Sequence, residues 1–171
     1  MVLSAIFPGK IICIEPVIEN RKFIEINLAK NNIKNVEILP CALCLKDEIL
    51  TFYKNDESVS GSLFNYEHAV PMEVQGMSVD SLLAKNPEIA FVKFDCEGGE
   101  YDLVPRFLEI GSKIKYFTGE VHKMRKDRGF GQTKDVKFLR RAFSEKGFCV
   151  STKPEQHGRR GLACMFAERS A

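Results

Sequence analysis

The sequence predicts an α/β fold with a mostly parallel sheet and an antiparallel hairpin at its C-terminal edge. Short apolar runs alternate with longer segments whose apolar residues recur at helical intervals, which is typical of strands alternating with helices. The early runs are apolar throughout, as expected of parallel strands covered on both faces. Two apolar runs near the C-terminus favour a hairpin. With 171 residues, 44% of them hydrophobic, we expect a single domain over residues 1–171.

The first half of the chain begins with a strand followed by a helix. The run IICI at 11–14 is apolar and rich in β-branched residues, and it is preceded by a Pro-Gly turn, so it predicts a fully buried strand. The segment at 17–32 has apolar residues at helical intervals among charges and ends in asparagines, which predicts a helix. The elements predicted next are a buried strand at 36–39, ended by Pro40, and weaker strands at 49–54 and 72–79.

The second half continues the alternation of helices and strands. Ser78 or Asp80 is a candidate cap for a short helix through Leu83, which the dipeptide Asn86-Pro87 terminates. Pro105 would remove a hydrogen bond from the interior of the next predicted helix. The remaining predicted elements are a strand at 89–94, a helix at 100–108, a strand at 114–122, a helix at 135–147 and two strands at 148–153 and 162–168.

Charge and composition exclude several classes of protein. A net charge of +2 and a pI near 8.2 do not supply the markedly basic surface that a nucleic-acid-binding protein needs, so we expect no nucleic-acid partner. No apolar run approaches the roughly 20 residues that cross a bilayer. The N-terminal stretch lacks the charged and apolar regions of a secretion signal. We therefore expect a cytoplasmic protein without a membrane span.

The six cysteines are expected to pack in the core. Most lie inside apolar segments, where a thiol behaves as a small hydrophobic group. Cys41 and Cys44 form a CxxC pattern, but no second CxxC or pair of histidines completes a zinc set. The cysteines therefore predict no metal site.

Candidate site residues follow the ends of the predicted strands. In an open α/β sheet, ligands bind at the carboxyl ends of the strands, where this chain places acidic residues in three of four cases. Glu15 follows the first strand, where a carboxylate can accept hydrogen bonds from both ribose hydroxyls of an adenosine-bearing cofactor. The alternative is an exposed acid beside a turn proline.

The sequence DCEGGE at 95–100 follows the strand at 89–94. Asp95 ends the strand directly, where a carboxylate can orient a substrate hydroxyl or take its proton. Glu97 and Glu100 have the simpler explanation of carboxylates near a helix start, favoured by the helix dipole. His122 is a candidate base near neutral pH, with an ordinary surface histidine as the alternative.

Five segments together resemble one enzyme family. These are IICIEPVIENRKFIEINLAKNN, VEILPCAL, MSVDSLL, FVKFDCEGGEYDLV and GEVH, in this order between residues 11 and 148. They resemble the FkbM family of S-adenosylmethionine-dependent methyltransferases. The resemblance implies a Rossmann-like class I methyltransferase sheet in which KFDCEGGE ends the fourth strand, beside the transferred methyl group.

The resemblance also implies roles for individual residues. Glu15 would bind the cofactor ribose, and the stretch Cys41, Ala42 and Leu43 would lie near the adenine. Asp95 and Glu97 would lie at the substrate end, where Asp95 would also contact the cofactor, with Glu120 and His122 across the pocket. Members are typically O-methyltransferases that act on hydroxyls of sugars, glycolipids or natural products. Whether Asp95, His122 or a metal held by the acids activates the hydroxyl stays open.

The N-terminal part departs from the family pattern. A class I methyltransferase begins with a strand and an acidic, glycine-rich loop, and no residues before Ile11 match them. We therefore expect the first strand and helix to be missing or incomplete, which would leave unpaired strand edges and make a homodimer plausible. Two rival hypotheses are a dinucleotide-dependent oxidoreductase, whose G-x-G-x-x-G loop is absent, and a non-catalytic remnant that acts as a binding module.

Overall fold

A computed structural model describes residues 7–55, 61–63, 69–124, 134–154 and 162–170. These residues form a mixed α/β fold in which strands and helices alternate, most regularly in the second half. The elements are β1 Ile11–Ile14, α1 Ile18–Lys30, β2 Val36–Leu39, β3 Ala42–Cys44, β4 Ile49–Asn55, β5 Gly61–Ser62, β6 Ala69–Ser78, α2 Val79–Lys85, β7 Phe91–Phe94, α3 Glu100–Ile110, β8 Tyr116–His122, α4 Val136–Glu145, β9 Phe148–Pro154 and β10 Leu162–Arg169.

The described strands form three hydrogen-bonded sheets. Strands β1 and β2 make a parallel pair, the second sheet has the order β7-β8-β10-β9, and the third has the order β3-β6-β4-β5. The second sheet contains a parallel β7–β8 pair, whereas β10 runs antiparallel to both β8 and β9. The predicted antiparallel C-terminal hairpin is therefore confirmed. The predicted single, mostly parallel sheet is not confirmed. The hydrogen bonds divide the described strands into three sheets, and two of these contain antiparallel pairs.

The main core lies between the second sheet and helices α3 and α4. Phe117 of β8 and Phe143 of α4 are fully buried, and their rings pack edge to face with 5.0 Å between the ring centroids. The ring of Phe148 of β9 packs edge to face against both, with its centroid 5.5 Å from each of theirs. Burying one such ring stabilises the fold by about 1.5–3 kcal/mol, so this cluster fixes the sheet that presents the end of β7.

Strand β1 and helix α1 are less buried than the sequence predicts. All four residues of β1 are half-buried, because β1 pairs with β2 alone among the described strands and three of its residues line a cavity. No residue of α1 is buried, and Phe23 is 60% exposed. The prediction of a fully buried first strand is therefore wrong in degree, although the strand and helix themselves are confirmed.

Local sequence signals account for most of the observed boundaries. The hydroxyl of Ser78 accepts a hydrogen bond from the backbone of Ser81 and caps α2, as one of the two predicted caps would. Helix α3 continues through Pro105, so this proline does not end it. Strands β3 and β5, of three and two residues, are too short for a periodic pattern and were not predicted. None of the described helices is long and apolar enough to cross a membrane.

Candidate functional site

A cavity of about 1050 Å³ lies between strand β1 and strand β7. Apolar residues of both strands line it, including Ile12, Ile14 and Val92. The carboxylates of Glu15, Asp95 and Glu97 follow the carboxyl ends of these strands and also line it. Two predicted strand ends therefore face one cavity, as expected for ligand sites of open α/β sheets.

The turn after β7 has an unusual backbone. Glu97 has φ of 48° and Gly98 has φ of 105°, so two consecutive residues lie in the region that favours glycine. The hydroxyl of Ser62, in β5, donates a hydrogen bond to the carbonyl oxygen of Glu97 at 3.0 Å, which links the turn to the third sheet. This conformation turns the chain sharply between Phe94 and the start of α3, and it keeps the Glu97 side chain at the cavity.

Glu100 lies behind this turn and is fully buried. Its Oε2 accepts a hydrogen bond from the backbone nitrogen of Gly98 at 2.8 Å. Its Oε1 accepts from the backbone nitrogen of His122 at 2.7 Å and lies 3.3 Å from the His122 Nδ1. One carboxylate thus joins the turn after β7 to the end of β8.

His122 brings the acidic residues of the turn together. Its Nε2 lies 3.3 Å from Glu97 Oε2 and 4.0 Å from Asp95 Oδ1. The side chain of His122 is 19% exposed, whereas those of Asp95 and Glu97 are 43% and 42% exposed. The Tyr101 hydroxyl donates to the His122 carbonyl at 2.7 Å and fixes the backbone there. His122 is therefore a largely buried histidine surrounded by carboxylates.

The environment shifts the pKa values of two groups in this cluster. Burial of the His122 ring lowers its pKa, but the hydrogen bond and charge of Glu100 and the charges of Glu97 and Asp95 outweigh burial, so the pKa is raised. Burial raises the pKa of Glu97; nearby His122 opposes this, and the carboxylates of Asp95, Glu100 and Glu120 add to it. Both shifts favour the protonated form of the group concerned.

Asp95, Glu97 and His122 also offer ligand atoms that all lie within 4.8 Å of one another. A divalent cation with oxygen and imidazole ligands fits such a spacing. The spacing does not by itself identify a metal site, because the ion pairs described above explain it equally well. A side-chain base and a metal, the two alternatives that the sequence leaves open, are both compatible with this geometry.

The residues predicted to bind the cofactor lie along the same cavity, with one exception. Glu15 lines it, and its Oε1 accepts a hydrogen bond from the Val17 backbone nitrogen at 2.8 Å. Ala42 and Leu43 of β3 also line it. Cys41 is 3% exposed and is not among the lining residues. The structure thus brings Glu15, Ala42, Asp95 and Glu97 to one cavity, beside His122.

The six cysteines are free thiols in different environments. Cys41 and Cys44 are buried, whereas Cys149 and Cys164 are exposed. The Cys44 thiol donates to the carbonyl oxygen of Lys46 at 2.9 Å, and burial raises the pKa of both Cys41 and Cys44. The expectation that cysteines pack in the core is confirmed for this pair and is wrong for Cys149 and Cys164, which point outward from β9 and β10.

Glu100 is the residue of the site that sequence reasoning missed. The pattern DCEGGE predicts an exposed carboxylate in the first turn of a helix, like Asp102, which is 51% exposed. Its burial depends on the backbone of His122, which lies 22 residues away in sequence. The adjacent Gly-Gly was the available signal, because a glycine turn lets the helix start lie close to the neighbouring strand.

The family model described as a methyltransferase FkbM domain matches residues 7–150 of this chain. The matched region contains β1, the turn after β7 and the whole of β8. No curated protein matches the chain. No solved structure matches it either.

Proposed function

The chain belongs to the FkbM methyltransferase domain family, and from this premise we propose that it transfers a methyl group from S-adenosylmethionine to a hydroxyl of a sugar, glycolipid or natural product. The observation that carries the proposal is that acidic residues after two strands line one cavity. Glu15 after β1 would form the cofactor side, and Asp95 and Glu97 after β7, with His122 beside them, would form the acceptor side.

The cavity suits the proposed cofactor in size and in lining. Small-molecule sites commonly enclose about 300–1,000 Å³ between apolar walls with a few polar groups, which resembles this cavity. Glu15 would bind the ribose hydroxyls, and Ala42 would contact the adenine, with Cys41 packed behind it. The bound cofactor supplies a methyl group made electrophilic by the sulfonium. Asp95, which also lines the cavity, would contact both cofactor and acceptor.

The acceptor hydroxyl would bind at the Asp95–Glu97–His122 cluster. A carboxylate of Asp95 or Glu97 accepts a hydrogen bond from the hydroxyl and orients its oxygen toward the methyl group. As the oxygen–carbon bond forms and S-adenosylhomocysteine leaves, the proton would pass through this carboxylate to His122 Nε2, which lies within 4.0 Å of both carboxylates. The acidic side chains of this region also favour neutral acceptors over phosphorylated ones.

The proposal extends to the protein's setting. We take residues 1–171 as one domain that acts in the cytoplasm on a small-molecule or glycan acceptor, without a nucleic-acid partner. The free state of all six cysteines is typical of a reducing compartment, and a net charge of +2 is too small to favour a nucleic-acid partner.

A non-catalytic binding module is the second candidate, and strand β1 favours it. Among the described strands, β1 pairs with β2 only, so its other edge has no strand partner there. The adjacent helix α1 exposes Phe23 and Ile26. An unpaired strand edge beside an exposed apolar helix is a typical docking surface for another chain, and a homodimer is one form of it.

Release of S-adenosylhomocysteine tests the proposed reaction directly. The full chain is incubated with S-adenosylmethionine and a panel of neutral sugars, glycolipids and polyols, with Asp95→Asn and Glu97→Gln as variants. We expect acceptor-dependent release that each variant reduces by about 10²-fold, the usual contribution of a positioned acid or base. Glu25→Gln, an exposed residue of α1, is the matched control. Release that is equal in all variants would remove the cluster from the reaction.

A further inference from the structure

We propose that Glu100 is a positioning residue that holds the His122 ring with Nδ1 inward and Nε2 toward Asp95 and Glu97. This inference rests on the proposed function for its catalytic meaning, although the orientation itself is a property of the free protein. Glu100 does not face the acceptor, so its effect on the reaction would pass through His122.

The two carboxylate oxygens of Glu100 make different contacts, and together these contacts fix the orientation of the His122 ring. Oε2 is held by the Gly98 backbone nitrogen, which fixes the carboxylate against the turn. Oε1 receives the His122 backbone nitrogen at 2.7 Å and faces Nδ1 of the same residue at 3.3 Å. Because the backbone and the ring of His122 contact the same oxygen, the side chain has little freedom to rotate.

Capping of α3 does not account for this burial. A first-turn carboxylate gains from the helix dipole while it remains in water, as Asp102 does in the same turn. Removing a carboxylate from water is costly unless donors or a positive charge compensate it. Among the contacts described for Glu100, the His122 ring is the one that can become cationic. It can offset the negative charge of the buried carboxylate only when Nδ1 faces inward.

The orientation has a chemical consequence for the ring. A carboxylate lies 3.3 Å from each ring nitrogen, but Glu97 is 42% exposed and can be hydrated, whereas Glu100 is fully buried and depends on protein donors. The proton of the neutral ring therefore belongs on Nδ1, beside Glu100, which leaves an unprotonated Nε2. That nitrogen lies 3.3 Å from Glu97 and 4.0 Å from Asp95, at the place where the acceptor hydroxyl would bind. Glu100 therefore determines that the nitrogen able to take a proton is the one that faces the substrate.

A purely architectural role is the rival explanation. Glu100 also links the turn after β7 to β8 through two backbone nitrogens, and this link alone would stabilise the fold. Such a role predicts that substitution of Glu100 lowers stability. It does not predict a defined tautomer of His122, and it predicts no change in the pKa of the His122 ring in protein that remains folded.

Nuclear magnetic resonance of ¹⁵N-labelled histidine in the full chain separates the two explanations. The chain has three histidines, and a His122→Gln variant assigns the signals of His122. At a pH where the ring is neutral, we expect the Nδ1-protonated tautomer. Glu100→Gln should lower the pH at which His122 becomes protonated, because it removes a negative charge at nearly constant volume. Asp102→Asn is the matched control in the same helical turn and should shift it much less.

Two results would overturn the inference: an Nε2-protonated neutral ring in the native chain, or a His122 titration that Glu100→Gln leaves unchanged. If Glu100→Gln does not fold, the tautomer of the native chain decides alone. In the transfer assay, Glu100→Gln should lower kcat by about 10²-fold with little change in the KM for S-adenosylmethionine. The tautomer is measured without cofactor, so a fixed Nδ1 proton in a chain that binds no cofactor would support the orientation and refute the proposed function.

Discussion

The turn after β7 combines a strained backbone with closely spaced carboxylates. Glu97 adopts a left-handed conformation that costs an ordinary residue about 1 kcal/mol or more, and it does so at the cavity. Backbone strain at such a position is commonly retained where it aims a side chain. Here it aims the carboxylate that lies nearest to His122 Nε2.

Replacing Gly98 tests whether this turn is conformationally demanding. Its φ of 105° is disfavoured for any residue with a Cβ atom, so Gly98→Ala should lower the free energy of unfolding by about 1–2 kcal/mol. The measurement is chemical denaturation followed by circular dichroism. Gly9→Ala is the control, because its added Cβ would meet only Phe7, at 3.9 Å. Equal effects of the two substitutions would show that the turn carries no special strain.

The pH dependence of methyl transfer tests the role of His122. The ring must be deprotonated to receive a proton, and its pKa is raised because Glu100, Glu97 and Asp95 outweigh the effect of burial. The rate should therefore rise with pH through an inflection above about 6.5, the ordinary pKa of histidine. Glu100→Gln should move this inflection to lower pH. A rate that falls as pH rises through this region would contradict the assignment of His122 as the base.

The elements explain which parts of the site the sequence predicts. Strand ends and caps depend on local residues, so Glu15, Asp95 and the Ser78 cap are identifiable from the order of the residues alone. Burial depends on what packs against an element, and no local pattern shows that β1 has one paired edge. The same reason hides Glu100, whose burial depends on distant β8. The short strands β3 and β5 are likewise defined by pairing with their neighbours.

The pairing of β7 with β8 brings Asp95 and His122 together, and Gly119 permits it. A Cβ on Gly119 would lie 2.1 Å from the carbonyl oxygen of Phe94, to which it is paired in register. Gly119→Ala should therefore separate these strands and lower the free energy of unfolding by about 1–3 kcal/mol, as overpacking usually does. It should also weaken the coupling of His122 to Glu100. Thermal denaturation gives the first quantity, and unchanged stability would contradict the close pairing.

At the scale of the whole molecule, one cavity joins sheets that the hydrogen bonds leave separate. The β1–β2 pair contributes Glu15, the third sheet contributes Ala42, and the β7–β8 sheet contributes Asp95 and Glu97. The FkbM membership assigns methyl transfer to the family, and the cavity is where a cofactor and an acceptor would meet. We therefore propose that this chain holds the cofactor between β1 and β7.

Calorimetric titration of S-adenosylhomocysteine into the purified 171-residue chain tests that claim most directly. We predict saturable binding. Glu15→Ala should raise the Kd about tenfold, which corresponds to about 1.4 kcal/mol of binding free energy, and the control Glu25→Ala should leave the Kd unchanged. Circular dichroism of each protein shows whether it is folded. Absence of binding by the folded native chain would contradict cofactor binding in this cavity and would favour the binding-module alternative.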